Sequence, residues 1–210
     1  MKKILMILVL SLIVAPVCYS QERTLRKELR KEYKEKLREL KKGKWEIFGS
    51  ARSADVTLLK FYEKLNSGNF EVVMGTSSSF RSKNIGYQNA QFNAATRYAA
   101  EAMSYIKGRA VSDLHVDGTN GNEEFDKFYQ AYERNVKAEI KGDLQDGYSI
   151  IRQNADGTYE MNSYFIVDIA SASKARLQAM ENAAKESSLA QEYAKKISDF
   201  INEGENIEVK

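Results

Sequence analysis

One cysteine, one proline and one histidine are all that the 210 residues contain, and each scarcity closes off a class of chemistry. Cys18 alone cannot make an intrachain disulfide. With His115 the only histidine, the sequence lacks a His/Cys zinc cluster, a Cys-His nucleophile pair and a haem-attachment motif. Long hydrophobic runs are scarce as well, with one exception: Lys2 and Lys3 precede a run from Ile4 to Val14 that is apolar apart from Ser11, and Ser20 offers a small residue just before Gln21. This pattern reads as a secretory signal peptide. The run is well short of the roughly twenty residues that span a bilayer, and the segment after Gln21 is dense in Lys, Arg and Glu, so a retained anchor is not expected.

Cys18 separates two kinds of export. A lipoprotein signal wants a small residue immediately before the lipidated cysteine, and that place holds Val17, preceded by Ala15 and Pro16. Cleavage after Ser20 instead sets Cys18 and Ser20 at the two positions where the peptidase needs small side chains, and releases a chain starting at Gln21. That mature chain carries neither cysteine nor proline and has to stand on a hydrophobic core. The expected location is the periplasm or the outer membrane's periphery.

What is abundant is charge, unevenly spread. From Glu22 to Lys44 eleven Lys and Arg face five Glu, a net of +6, and residues 45–210 sum to −5. Leu25, Leu29, Tyr33, Leu37 and Leu40 recur at helical spacing within this basic segment, which predicts an amphipathic helix of about five turns. Its apolar stripe is thin, suited to pairing with another helix, lying on its own domain or resting on an anionic surface. Nucleic acid is not an expected partner, because an exported protein seldom meets it and Tyr33 is the only aromatic residue interleaved with the cations.

Beyond Gly43 the sequence reads as one continuous domain. Trp45, Ile47 and Phe48 form a short apolar cluster, and Val56 to Leu65 shows helical periodicity ending at Asn66, Ser67 and Gly68. Phe70–Met74 reads as a strand that Gly75 and Thr76–Phe80 extend or bend. An alanine-rich helix over 84–107 stops at Gly108, a loosely alternating second strand covers 109–116, and residues 117–122 form a polar loop. Glu123 and Glu124 then open a helix whose face runs Phe125, Phe128, Tyr129, Tyr132, Val136 and Ile140. Strands over 143–153 and 158–169 flank a turn at Asp156-Gly157, the second apolar on both faces and so expected to be central. One long helix over 171–203 completes the chain. The fold class expected is α+β, a mainly antiparallel or mixed sheet of about four strands with long helices packed on it, preceded by the charged helix. The divisions are a signal peptide at 1–20, the basic helix at 21–44 and a single domain at 45–210.

Gly75 after a strand, Asn89-Ala90 and Ala94-Ala95-Thr96-Arg97-Tyr98-Ala99 on a helix, a later Glu139-Ile140-Lys141-Gly142 and the strand Tyr164-Phe165-Ile166-Val167-Asp168 form a further pattern. Over about residues 45–170 it resembles the Lpp-twenty type of envelope lipoprotein domain, which has relatives in the flagellar outer-membrane ring. The charged helix and the Trp45 region also resemble an uncharacterised exported family of Gram-negative anaerobes. The resemblance implies an envelope-associated structural or interaction protein without a catalytic site, and the lipidation motif departs from that of the lipoprotein members.

No catalytic, cofactor-binding or metal-binding residue is assigned from sequence. His115 reads as a structural or surface residue. Asp117-Gly118-Thr119-Asn120-Gly121-Asn122-Glu123 partly matches a calcium loop, but its glycine stands at the fifth place and the twelfth is Phe128. Gly75-Thr76-Ser77-Ser78-Ser79 lacks the Gly-Lys-Ser/Thr ending of a phosphate loop, and no Gly-x-Ser-x-Gly elbow occurs. Adjacent Glu123 and Glu124 cannot face one another as an acid/base couple. The aromatic stripe from Phe125 to Tyr132 has core spacing, with a carbohydrate or partner surface as the alternative. The expectation is therefore a non-enzymatic envelope protein, without a cofactor, that contacts an envelope protein or a second copy of itself through residues 21–44. Two alternatives remain: an exported hydrolase or small-ligand binder whose site assembles only in three dimensions, and a protein held on an anionic membrane surface by the basic helix.

Overall fold

Alternating and 3.6-residue periodicities both find their elements in the computed structural model of the protein, which describes residues 26–114, 122–186 and 188–203. The first twenty residues, Cys18, His115 and most of the 117–122 loop lie outside the described residues. The described residues divide into two compact units, one holding those up to Glu46 together with Ser50–Gly68, the other Ile47–Gly49 and those from Asn69 onward.

The first unit is a helical pair. Helix α1 covers residues 26–42 and turns Leu29, Tyr33, Leu37 and Leu40 away from solvent, with Leu40 fully buried. Helix α2, Ala54–Leu65, starts on the side chain of Ser53, whose hydroxyl accepts from the Val56 amide at 3.4 Å, and buries Leu58 and Phe61. Tyr33 meets the edge of Tyr62 with ring centroids 6.3 Å apart, and its hydroxyl donates to Asp55 at 3.4 Å. The end of α1 is a Schellman turn: the Trp45 amide donates to the Leu40 carbonyl at 3.0 Å and the Lys44 amide to that of Lys41 at 3.4 Å. The left-handed position is taken by Lys44 at φ 55°, one residue past Gly43. Gly43 serves another purpose, because a Cβ there would stand 2.6 Å from Cδ1 of the Trp45 indole.

The second unit is an α+β fold built on a four-stranded antiparallel sheet in the order β1-β3-β4-β2. Its elements are β1 (Glu46–Phe48), β2 (Phe70–Phe80), α3 (Lys83–Leu114), α4 (Asn122–Asp143), β3 (Gln145–Gln153), β4 (Tyr159–Asp168), α5 (Ile169–Ala184) and α6 (Ser188–Glu203). The expected hairpin joins β3 to β4, with Gly157 at φ 80° in its turn. β4 is an inner strand: Phe165 and Val167 on one face and Ile166 on the other are all at most 1% exposed. Four strands are present among the described residues, but not the four expected.

Residues 109–114 are helix, because Ala110 continues the buried row of Ala99 and Ile106, and Gly108 sits where a Cβ would meet nothing. A solvent-facing glycine weakens a helix by about 1 kcal/mol, too little to end one whose inner face stays packed. The fourth strand is instead β1, at the Ile47-Phe48 cluster, where the Phe48 ring lies 6.3 Å from that of Tyr87. The expected helix over 171–203 is two helices, parted by a turn at Lys185 and Glu186.

Helix α3 lies on β2 and β4 where the sheet is low. Gly75, Ser163 and Ser149 form a row across three strands, and the two serine hydroxyls hydrogen-bond at 2.8 Å. Ala90 and Ala94 face this row, so the helix backbone settles onto Gly75. Helix α4 then packs against α3 and α5 with Phe125, Phe128, Tyr129, Tyr132, Val136 and Ile140 all buried. Burying each large side chain contributes about 1.5–3 kcal/mol, which makes this stripe a principal source of the unit's stability. Helix α6 adds Ile197, Phe200 and Ile201 to the same core.

Candidate functional site

Two features can meet a partner or ligand, one in each unit. In the first, the apolar stripe of α1 faces inward and leaves Lys27, Lys31, Lys34 and Arg38 exposed at helical spacing, with Arg30 alongside. Glu28 and Glu35 interrupt the row without cancelling it. A row of cations along about three turns sets up a positive potential that reaches roughly 8–10 Å into a salt solution before it is screened.

In the second unit, a cavity of about 220 Å³ opens where β2, α3, α4, α5 and α6 converge. Each of these elements places one part of it. The inward phase of β2, shared with Val73 and Gly75, brings Glu71 to the end of the sheet. Helix α3 supplies Tyr98 and Tyr105, and α4 supplies Tyr132 from its buried stripe. Arg176 comes from α5 in phase with buried Ala172, Ala179 and Met180. Ala102, Ile106 and Ile201 form the apolar wall.

The polar groups in this cavity are unequally satisfied. Arg176 is 14% exposed at its side chain, and its Nη1 donates to the Tyr98 hydroxyl and stands 3.6 Å from Oε1 of Glu71. That ion pair lies beyond hydrogen-bond length. Tyr105 accepts from Nη1 of Arg109 at 3.4 Å. Glu101, on the rim, pairs with Arg97 at 2.8 Å. The Tyr132 hydroxyl, fully buried, has no hydrogen-bond partner among the described residues. Leaving such a hydroxyl unpaired costs about 1–3 kcal/mol.

Burial pushes the Tyr98 phenol up to about 12, with Arg176 opposing the rise and Glu71 adding to it. Tyr132 is also raised, again by burial, with Arg176 opposing. Both phenols are therefore protonated donors across the neutral range.

The segments singled out in the sequence take up varied places. Gly75 lies under α3 and Ser77 is 8% exposed, so Gly75–Ser79 is sheet interior and edge, with no cradle of amides for an anion. Phe125, Phe128, Tyr129 and Tyr132 are core, at most 5% exposed. Glu123 and Glu124 occupy the first turn of α4, and their side chains lie outside the described residues. His115 and the 117–121 stretch lie outside them too. Among the described residues no three His, Cys, Asp or Glu side chains gather as metal ligands, and no helix is long and apolar enough to cross a membrane.

No sequence motif announces the cavity. Its signal is nonetheless present: a glutamate and an arginine, each the one charged side chain in the inward phase of its strand or helix.

No protein-family model matches the chain, and no curated protein matches it.

Proposed function

We propose that the protein is a non-catalytic, exported component of the cell envelope that works through protein–protein contact, with α1 as its docking element and an acidic protein surface as the partner. The observation that carries this reading is the division of α1 into an inward apolar stripe and an outward row at Lys27, Lys31, Lys34 and Arg38. The signal-like first twenty residues and the resemblance of residues 45–170 to envelope lipoprotein domains support the same setting. Co-purification from an envelope fraction tests it. Charge reversal of the four cations to Glu is expected to release the partner with helical circular dichroism unchanged, whereas a chain lacking residues 21–44 that retained every partner would overturn the reading. Vesicles of phosphatidylglycerol serve as the competing surface; salt-sensitive sedimentation with them in the absence of any protein partner replaces the protein partner by a membrane. Mass analysis of the mature N-terminus tests export: Gln21 supports soluble release and a diacylated Cys18 overturns it.

A second reading has its own observation. The Tyr98, Tyr132 and Arg176 cluster favours a small-ligand binder, because a pocket holding buried hydrogen-bonding groups, one of them without a partner among the described residues, is the arrangement that ligand recognition requires.

A further inference from the structure

We infer that the cavity between Arg176, Glu71 and Tyr132 takes a small zwitterion of the α-amino acid class, its carboxylate on Arg176 and Tyr132 and its ammonium toward Glu71. This rests on the small-ligand reading of that cavity and names its ligand.

Three observations lead there. The first is the hydroxyl of Tyr132, a residue of the cavity wall: it is wholly buried and, among the described residues, a donor without an acceptor. Packing alone does not account for it, since a phenylalanine would fill the same volume without stranding a polar atom. An acceptor atom brought by a ligand satisfies it once the side chains that cover the hydroxyl shift to admit the ligand.

The second is the guanidinium of Arg176. Nη1 is its one hydrogen-bonded nitrogen among the described residues, held by Tyr98, and the fork of the remaining N–H groups is suited to a carboxylate. The Tyr98 contact fixes the fork in place before any ligand arrives, which removes part of the ordering cost of binding.

The third is the balance of charge. One arginine and the carboxylates of Glu71 and Glu101 line the same space, and Arg176 stands 3.6 Å from Glu71 rather than closing on it. A simple anion entering here meets Glu71, Glu101 being already paired with Arg97 on the rim, and a simple cation meets Arg176. A zwitterion meets a complement at each end, and a carboxylate has several acceptor sites, so Glu71 can receive an ammonium alongside its existing contacts.

Size and lining set the rest. A volume of about 220 Å³ corresponds to the space of about seven waters at roughly 30 Å³ each, enough for an amino acid with a small or medium side chain. Ala102, Ile106 and Ile201 offer that side chain an apolar wall.

Calorimetric titration of the full mature chain tests the assignment, using the common α-amino acids with L-leucine as reference, isocaproate as leucine without its amine, isoamylamine as leucine without its carboxylate, and glucose as a neutral polyol. Saturable binding of one or more amino acids is expected, at least tenfold weaker when either charge is removed. Tyr132→Phe should weaken that binding about tenfold while leaving the melting temperature of the free protein unchanged or higher, since no existing hydrogen bond is lost. Arg176→Lys, which keeps the charge and loses the fork, provides a second variant with the same expected direction. Binding of glucose or isocaproate in preference to every amino acid, sensitive to Tyr132→Phe, overturns the zwitterion and leaves a ligand site. No binding by any probe overturns both readings. Amino-acid binding indifferent to both variants overturns the assignment to this cavity.

Discussion

A Cβ on Gly75 would stand 1.9 Å from the carbonyl oxygen of Ala90, so helix α3 settles on the sheet through a missing side chain. Neither side of the contact can yield easily. The obstructing atom is helix backbone, and Gly75 is paired in the ladder opposite Ser163. Gly75→Ala is expected to destabilise the second unit by about 3 kcal/mol, the upper range for overpacking. Urea unfolding followed by circular dichroism checks this, and a midpoint equal to that of the parent chain would sink it.

Lys44 carries a left-handed backbone at φ 55°, a conformation costing roughly 1–2 kcal/mol in a residue with a Cβ. Lys44→Gly is expected to stabilise the first unit by up to about 1 kcal/mol, part of the relief being offset by the greater freedom of glycine in the unfolded chain. A melting temperature that fell would count against the Schellman assignment.

The neighbouring glycine predicts the opposite. Trp45 is the only tryptophan, and its indole lies across Gly43 at a distance that leaves no room for a methyl group. Gly43→Ala is expected to displace the ring and shift its fluorescence emission to longer wavelength. An unchanged spectrum would mean that the indole is seated elsewhere.

Stability should fall in alkali through two buried phenols. Tyr98 and Tyr129 are both raised from 10.0 to about 12, chiefly by burial, with Asp126 adding to the rise at Tyr129. Because the unfolded chain gives up these protons first, their contribution is fully present below pH 10 and is lost as pH climbs from 10 through about 12. Tyr129→Phe is expected to flatten this slope. Unfolding midpoints measured at several pH values in that window provide the check, and parallel curves for the two proteins would exclude the mechanism.

Legibility of this chain depends on the kind of physics each segment uses. The α4 stripe and the β3-β4 hairpin are plain in the sequence, because 3.6-residue periodicity over Phe125–Ile140 and an Asp-Gly turn are local signals. The helical run through Gly108 reads wrongly as a stop and then a strand. What keeps it helical is the burial of Ala110, and that depends on elements distant in sequence. β1 is similarly hidden, since three residues cannot show a period and only pairing in the sheet defines them as a strand.

The cavity is half visible. Glu71 and Arg176 are out of character for their inward positions, yet they lie more than a hundred residues apart, and sequence alone does not place them 3.6 Å from one another. Tyr132 reads correctly as a core residue, and the missing partner of its hydroxyl is a property of the assembled fold.

The strand order has a kinetic consequence. β2 is made early but its sheet partner, β4, is the last strand in the chain, and two helices and β3 must be synthesised between them. Closing so long a loop precedes any reward from the ladder, which raises the entropic barrier and slows folding. A growing chain therefore holds β2 as a lone strand until Asp168 has emerged, and α3 has no low saddle of Gly75, Ser163 and Ser149 on which to settle before then.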